Sequence, residues 1–243
     1  MRSWLIAVGV LFVAAAAAVS LSAFRAQSFY GHAERVGLGS SSTEERAGYW
    51  GCYGGFTGSM TWVPSGWPGR SGAASQLAIS DALALLGHPL PGSEAFPAND
   101  SVVVYSSSAR LLVFTMGHVR AVNLTGQALP DYAQHEVFVI DGLIDPTLVF
   151  EGPSTVNITV INLDSSMYHN FVVTTVSPPY PFNAMPYEMQ YGMVPFVPPA
   201  DYTGGLAHSY SYVLSFGPGS YWYICTYPGH AEMGMYGRML VRG

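Results

Sequence analysis

Near its end the chain reads Tyr221-Trp222-Tyr223-Ile224-Cys225-Thr226-Tyr227-Pro228-Gly229-His230-Ala231-Glu232-Met233-Gly234-Met235. A histidine follows the cysteine after five residues, and a methionine follows the histidine after five more. Upstream, His169 opens a β-type segment just after the turn-like run Asp164-Ser165-Ser166. Two imidazoles and a thiolate in a plane, with a weak axial thioether, form the donor set of a blue-copper electron-transfer centre. Thiolate and thioether favour Cu(I) while imidazole suits Cu(II), so one geometry serves both oxidation states. Met233 competes with Met235 for the axial place, and Met235 is the preferred candidate. Structural zinc prefers paired cysteine spacings, and no Cys-x-x-Cys is present. A binuclear copper centre would need a second cysteine in the loop. Taken singly, Cys225 reads as a buried thiol, His230 as a surface histidine and Met235 as a core residue. Their joint spacing after an aromatic strand is what points to copper. His32, His88, His118, His135 and His208 have no partner spacing and read as structural or surface residues.

Three donors on one loop close around a metal only if another element supplies the fourth. His169 on a neighbouring strand is expected to do so, tying two sheets together through the metal. From about residue 101 the chain shows short strand signals separated by Gly, Pro, Asn and Asp turns. Strands are predicted over 101–106, 110–115, 136–140, 155–162, 169–175, 209–216, 220–225 and 238–241. Val156, Ile158 and Val160 alternate with Asn157 and Thr159, the period of a half-buried strand. With no long helix between them, such strands imply an all-β sandwich or barrel. A helix is predicted over 75–86, stopped by Gly87 and Pro89. The segment 177–204, rich in Pro, Met and aromatics, reads as a long functional connection.

The 243 residues carry 9 Arg, no Lys and 15 Asp plus Glu, a formal net charge of -6, and charged types make up only 10 %. An acidic chain without Lys lacks the basic footprint of a nucleic-acid binder. Aromatics at 14 % with so few charges exclude a disordered chain, and the low charge suits a medium that would protonate carboxylates. Residues 4–24 contain no charge and are bounded by Arg2 and Arg25. About 20 apolar residues span a bilayer, so 1–25 reads as a membrane anchor, with a cleaved signal peptide as the alternative. Residues 26–47 read as a linker, 48–98 as a Gly- and aromatic-rich extension with one helix, and 99–243 as the metal-binding domain. The expected placement is a single-pass membrane protein with that domain on the extracytoplasmic side. Cys52 is expected to be a buried or free thiol.

The run from Tyr223-Ile224-Cys225 through Pro228-Gly229-His230-Ala231 to Gly234-Met235 and Gly237 resembles the rusticyanin and sulfocyanin branch of the cupredoxins. Ser177-Pro178-Pro179-Tyr180, leading to Ala184-Met185-Pro186, carries the same resemblance. It implies a cupredoxin-like Greek-key β-sandwich with one type 1 copper held by His169, Cys225, His230 and Met235. It also implies an electron carrier rather than an enzyme. Its redox partners would be a donor complex or cytochrome and, in a respiratory chain, a terminal oxidase. His230 would present an edge at an apolar patch completed by the Met- and Pro-rich segment. Asn170, directly after the first ligand as in the sulfocyanin type, would hydrogen-bond the cysteine loop. A copper-binding protein for sequestration or delivery, with Met185, Met189 and Met193 as a working part, is the competing class.

Overall fold

The computed structural model describes residues 72–89, 91–187 and 193–243. Strand β8 (Ser154–Asn162) shows the predicted alternation: Val156, Ile158 and Val160 are buried while Asn157 and Thr159 are half-buried. Its neighbours are β4 (Ser108–Gly117), parallel, and β11 (Leu206–Phe216), antiparallel. With β1 (Ala73–Ala78), β5 (Glu136–Ile140) and β6 (Leu143–Ile144) they form one sheet in the order β1-β11-β8-β4-β5-β6. The second sheet takes β2 (Ser93–Phe96), β3 (Ser101–Val104), β7 (Thr147–Phe150), β9 (His169–Thr174), β10 (Met193–Val197), β12 (Gly219–Ile224) and β13 (Tyr236–Val241). Its order is β10-β9-β12-β13-β7-β3-β2. The expected all-β sandwich is the observed architecture.

The main core lies between the sheets. Phe171 of β9 stacks on Tyr223 of β12 at 5.2 Å, and Phe138 of β5 meets both edge-on at 5.5 Å. These rings lie behind the end of the second sheet where β9 begins and β12 finishes. Pairing of Ile224 with Val172 and of Ile224 with Tyr236 puts the starts of β9 and β13 beside the end of β12. His169 and Cys225 therefore come from adjacent strands of one sheet. The expected tie between two sheets is corrected: the inter-sheet link is the aromatic core.

The helix predicted over 75–86 divides into β1 and α1 (Ile79–Leu85). An available sheet edge overrides helical propensity there: β1 pairs with β11, and Ser75 Oγ lies 2.8 Å from Ser209 Oγ. Two sheet strands, β1 and β2, thus come from before residue 99. The sequence also hid β10, whose Pro195 and irregular register suit a sheet edge, and α2 (His118–Thr125), closed by Gly126 at φ +69°. The proposed anchor 1–25, the linker, Cys52 and Met189 lie outside the described residues. Among the described residues no helix is long and apolar enough to cross a membrane.

Removing the central ring of the core should be costly. Phe171→Ala is expected to destabilise the metal-free protein by about 3–5 kcal/mol, read from the urea unfolding midpoint.

Candidate metal centre

β9 presents His169 as its first residue, paired with Val197 of β10. β12 ends at Ile224, and the loop from Cys225 to Met235 returns the chain to β13. The loop is closed by its own backbone: Cys225 N donates to Met235 O at 3.1 Å, and Met235 N donates to His230 O at 2.9 Å. His230 N donates to Tyr227 O at 3.0 Å, and Met233 N to Gly229 O at 2.9 Å. Gly234 adopts φ +99°, and a Cβ there would lie 2.2 Å from Tyr132 O. Only glycine fits both the conformation and the close approach.

This loop brings Cys225 Sγ to 3.5 Å from His230 Nδ1 and 3.9 Å from His169 Nδ1. All three residues are buried, at 0, 1 and 0 % exposure respectively. Metal bonds of roughly 2.0–2.3 Å opened by about 110–120° place S and N about 3.5–3.7 Å apart, so His230 already stands at that spacing and His169 just beyond it. Met235 is fully buried in the same cluster as Cys225, whereas Met233 is half-buried and its methyl faces Gly229. With Cys225 N bonded to Met235 O, it is the Met235 backbone, rather than that of Met233, that adjoins the cysteine.

Electrostatics prepare both imidazoles to ligate. Burial, with His169 nearby, pushes His230 down to about 3. Burial also lowers His169, opposed by Asp164. Burial thus favours the neutral form of both rings, the form a metal requires. Asn170 joins β9 to the loop as expected of its position: its Nδ2 donates to Thr226 Oγ1 at 2.6 Å and its Oδ1 accepts from Thr226 N at 2.8 Å.

The cover over His230 differs from expectation. The ring is not at the surface: it packs on Tyr227 at 4.6 Å, and Gly229 N donates to Phe182 O at 2.7 Å. Phe182, at 63 % exposure, lies against Gly229 and holds the outer position. Met193 sits in β10, pairs with Val172 and packs, half-buried, against the cluster that includes Tyr180 and Ile224.

Two carboxylates near His169 escaped the sequence reading. Donor atoms of Glu136, Asp164 and His169 lie within 4.8 Å of one another. Burial and the adjacent Asp164 push Glu136 up to about 8. Burial opposes the charge on Asp164, but His169, the Ser166 and Met167 N–H groups and Glu136 hold it below the ordinary range. Asp164 appeared in sequence only as part of a turn, and 28 residues separate it from Glu136.

Residues 149–242 match the family of copper binding proteins described as plastocyanin/azurin. A rusticyanin of Acidithiobacillus ferrooxidans is 30% identical over 147 residues, 60% of this chain and 84% of that protein. The chain is a cupredoxin of the rusticyanin type. A rusticyanin of Acidithiobacillus ferridurans is 26% identical over 166 residues, 63% of this chain and 77% of its own. The solved structure of rusticyanin from Thiobacillus ferrooxidans aligns with TM-score 0.54 at 21% identity, covering 70% of this chain and 97% of that one. Reduced rusticyanin aligns with TM-score 0.53 at 20% identity, covering 70% and 100%. These two likenesses concern the fold. Copper is the metal of this cupredoxin, and His169, Cys225, His230 and Met235 are the residues placed to hold it.

Glu136 gives the metal-free cupredoxin a pH dependence of defined sign. Its folded pKa is raised, so its contribution is fully present below about 4.5 and is lost as pH rises through about 8. Between pH 5 and 8 the wild type should lose about 1–2 kcal/mol relative to Glu136→Gln, after allowing for screening of a partly exposed group. Paired urea titrations across that range measure it. Gly234→Ala should cost about 2–4 kcal/mol in the same assay, because the backbone of Tyr132 and Ala133 must move.

Proposed function

We propose that the chain is a single-electron carrier built on one type 1 copper, held to a membrane through 1–25 with the copper domain on the extracytoplasmic side. The observation that carries this reading is the closed donor set: Cys225 Sγ within 3.9 Å of both imidazole Nδ1 atoms, buried, with Met235 alongside. Copper bound there supplies a one-electron couple. The protein's part is to keep the donors where they already stand. His169 is fixed in a sheet register and the loop by backbone hydrogen bonds, so a change of oxidation state demands little rearrangement. The buried rings also keep protons from competing for the ligand nitrogens.

The partners proposed are a donor complex or cytochrome and, downstream in a respiratory chain, a terminal oxidase. Phe182, Met185 and Pro228 are exposed on the loops beside His230. Small, weakly charged patches of this kind suit brief redox encounters. The apolar run 4–24 supports the anchor, and the low charge supports work in an acidic medium. Copper delivery is less favoured, because Met193 is committed to the sheet and the donors are enclosed.

The full chain loaded with one equivalent of Cu(II) should show an intense blue thiolate-to-copper band and narrow EPR hyperfine splitting, both absent in Cys225→Ser. Voltammetry should then give a reversible one-electron wave with copper retained. A pale spectrum indifferent to Cys225, or metal release on reduction, would overturn the carrier reading.

A further inference from the structure

His169 has two working edges. Nδ1 faces Cys225, while Nε2 is buried, has no hydrogen-bond partner among the described residues, and lies 3.9 Å from Asp164 Oδ2. That carboxylate is 8 % exposed and tightly held. Its Oδ1 accepts from Ser166 N at 2.7 Å, Met167 N at 2.8 Å and Ser166 Oγ at 3.2 Å. Asp164 N donates to Asn162 Oδ1 at 2.9 Å, and Asp164 O accepts from Ala200 N at 2.7 Å. Asn162 is anchored in turn, its Nδ2 donating to Met167 O at 2.9 Å and Val197 O at 3.0 Å. The bonds from the turn therefore all fall on Oδ1, and Oδ2 lies toward the imidazole. Turn formation alone would not require a second oxygen aimed at a buried ring.

We propose that Asp164 is a positioning residue whose Oδ2 orients the His169 ring and sets a fixed negative charge one imidazole away from the copper, lowering its reduction potential. The inference rests on the copper reading above. A carboxylate behind a ligating histidine fixes its tautomer and raises its basicity, and loss of such a partner typically costs 10–100-fold in metal affinity. The charge acts unequally on the two oxidation states. It stabilises the dication more than the monocation, so it favours Cu(II) over Cu(I). At 3.9 Å the contact is longer than a hydrogen bond, which makes charge the larger part of the effect. Low exposure limits solvent screening of that charge. A Glu136 carboxylate oxygen lies within 4.8 Å of donor atoms of both Asp164 and His169.

The test compares the full chain with Asp164→Asn, which keeps an oxygen for the Ser166 and Met167 N–H groups but removes the charge. Asp164→Ser, whose hydroxyl can cap the same turn, serves if the amide variant does not fold. Each protein is loaded with Cu(II), its blue band recorded, and its potential measured. The expected result is a blue band in every protein, with Cu(II) binding weakened about tenfold more than Cu(I) binding in the variant. At 59 mV per tenfold for one electron, that is a rise of about 59 mV. A blue variant with the wild-type potential overturns the inference while leaving the copper reading intact. Absence of the blue band from the wild type overturns the copper reading itself.

Discussion

Three donors in a short loop cannot converge unless the two ends of that loop are held together. Here the constraint is met by the pairing of β12 with β13, extended one step by the Cys225 N–H bond to Met235 O. That bond places the thiolate and the thioether donor at the same sheet end before any metal arrives. The inner turns then have little freedom, which is why Gly229 and Gly234 carry φ values of +85° and +99°. The fourth donor needs only the neighbouring strand, and β9 supplies it at its first residue. The rest of the sandwich serves this end of one sheet. The Phe138, Phe171 and Tyr223 rings couple it to the opposite sheet and keep β9 and β12 in register from behind.

Burial of the donors has an electrostatic consequence that runs in two directions with pH. His230 has a depressed folded pKa, so its share of stability is present above about 6.5 and is lost as pH falls through about 3. Glu136 has a raised one, and its share is strongest in acid. The two slopes oppose each other between about pH 4.5 and 6.5, flattening the stability of the metal-free chain there. A bound metal would compete with protons for the His230 nitrogen and remove part of the acid-side loss. A medium that protonates carboxylates is then less hostile to this fold than a count of buried histidines suggests.

The ligand loop was legible because its donors are contiguous, and residue type with spacing carries the chemistry. The longer strands β5, β8, β9, β11, β12 and β13 were legible for a related reason: alternation in β8 or aromatic density in β12 is a local signal, whereas the short β6 and β7 carried none. What stayed hidden depended on pairing between distant segments. β1 looks helical by composition and becomes a strand because β11 offers an edge. β10 contains Pro195 and is tolerated because it too lies at an edge. Glu136 and Asp164 meet because β5 and β8 flank β4, with Gly117 opposite Glu136 and Thr115 opposite Asn162. No local pattern encodes that meeting. The need for a fourth donor from a neighbouring strand pointed to His169, and the family resemblance agreed, but neither said anything of the carboxylate behind it.

The two imidazoles consequently face unlike surroundings, and this suggests a division of labour. His230 lies under Tyr227 and beside the turn clamped by Phe182, where the nearby exposed groups are apolar. A partner docking there displaces water from carbon surface, which is favourable, and leaves few polar groups unsatisfied. His169 faces Asp164 and Glu136, and beyond them a surface hollow lined also by His118, Arg120 and Asn123. A partner seated on that side would have to desolvate charged and hydrogen-bonding groups. Asp164 is better suited to a fixed role, because its carboxylate is already bonded to the turn at Ser166 and Met167. If the chain exchanges electrons as proposed, the Phe182 side is the less costly face for a partner, and the Asp164 side would set the electrostatic environment of the exchange.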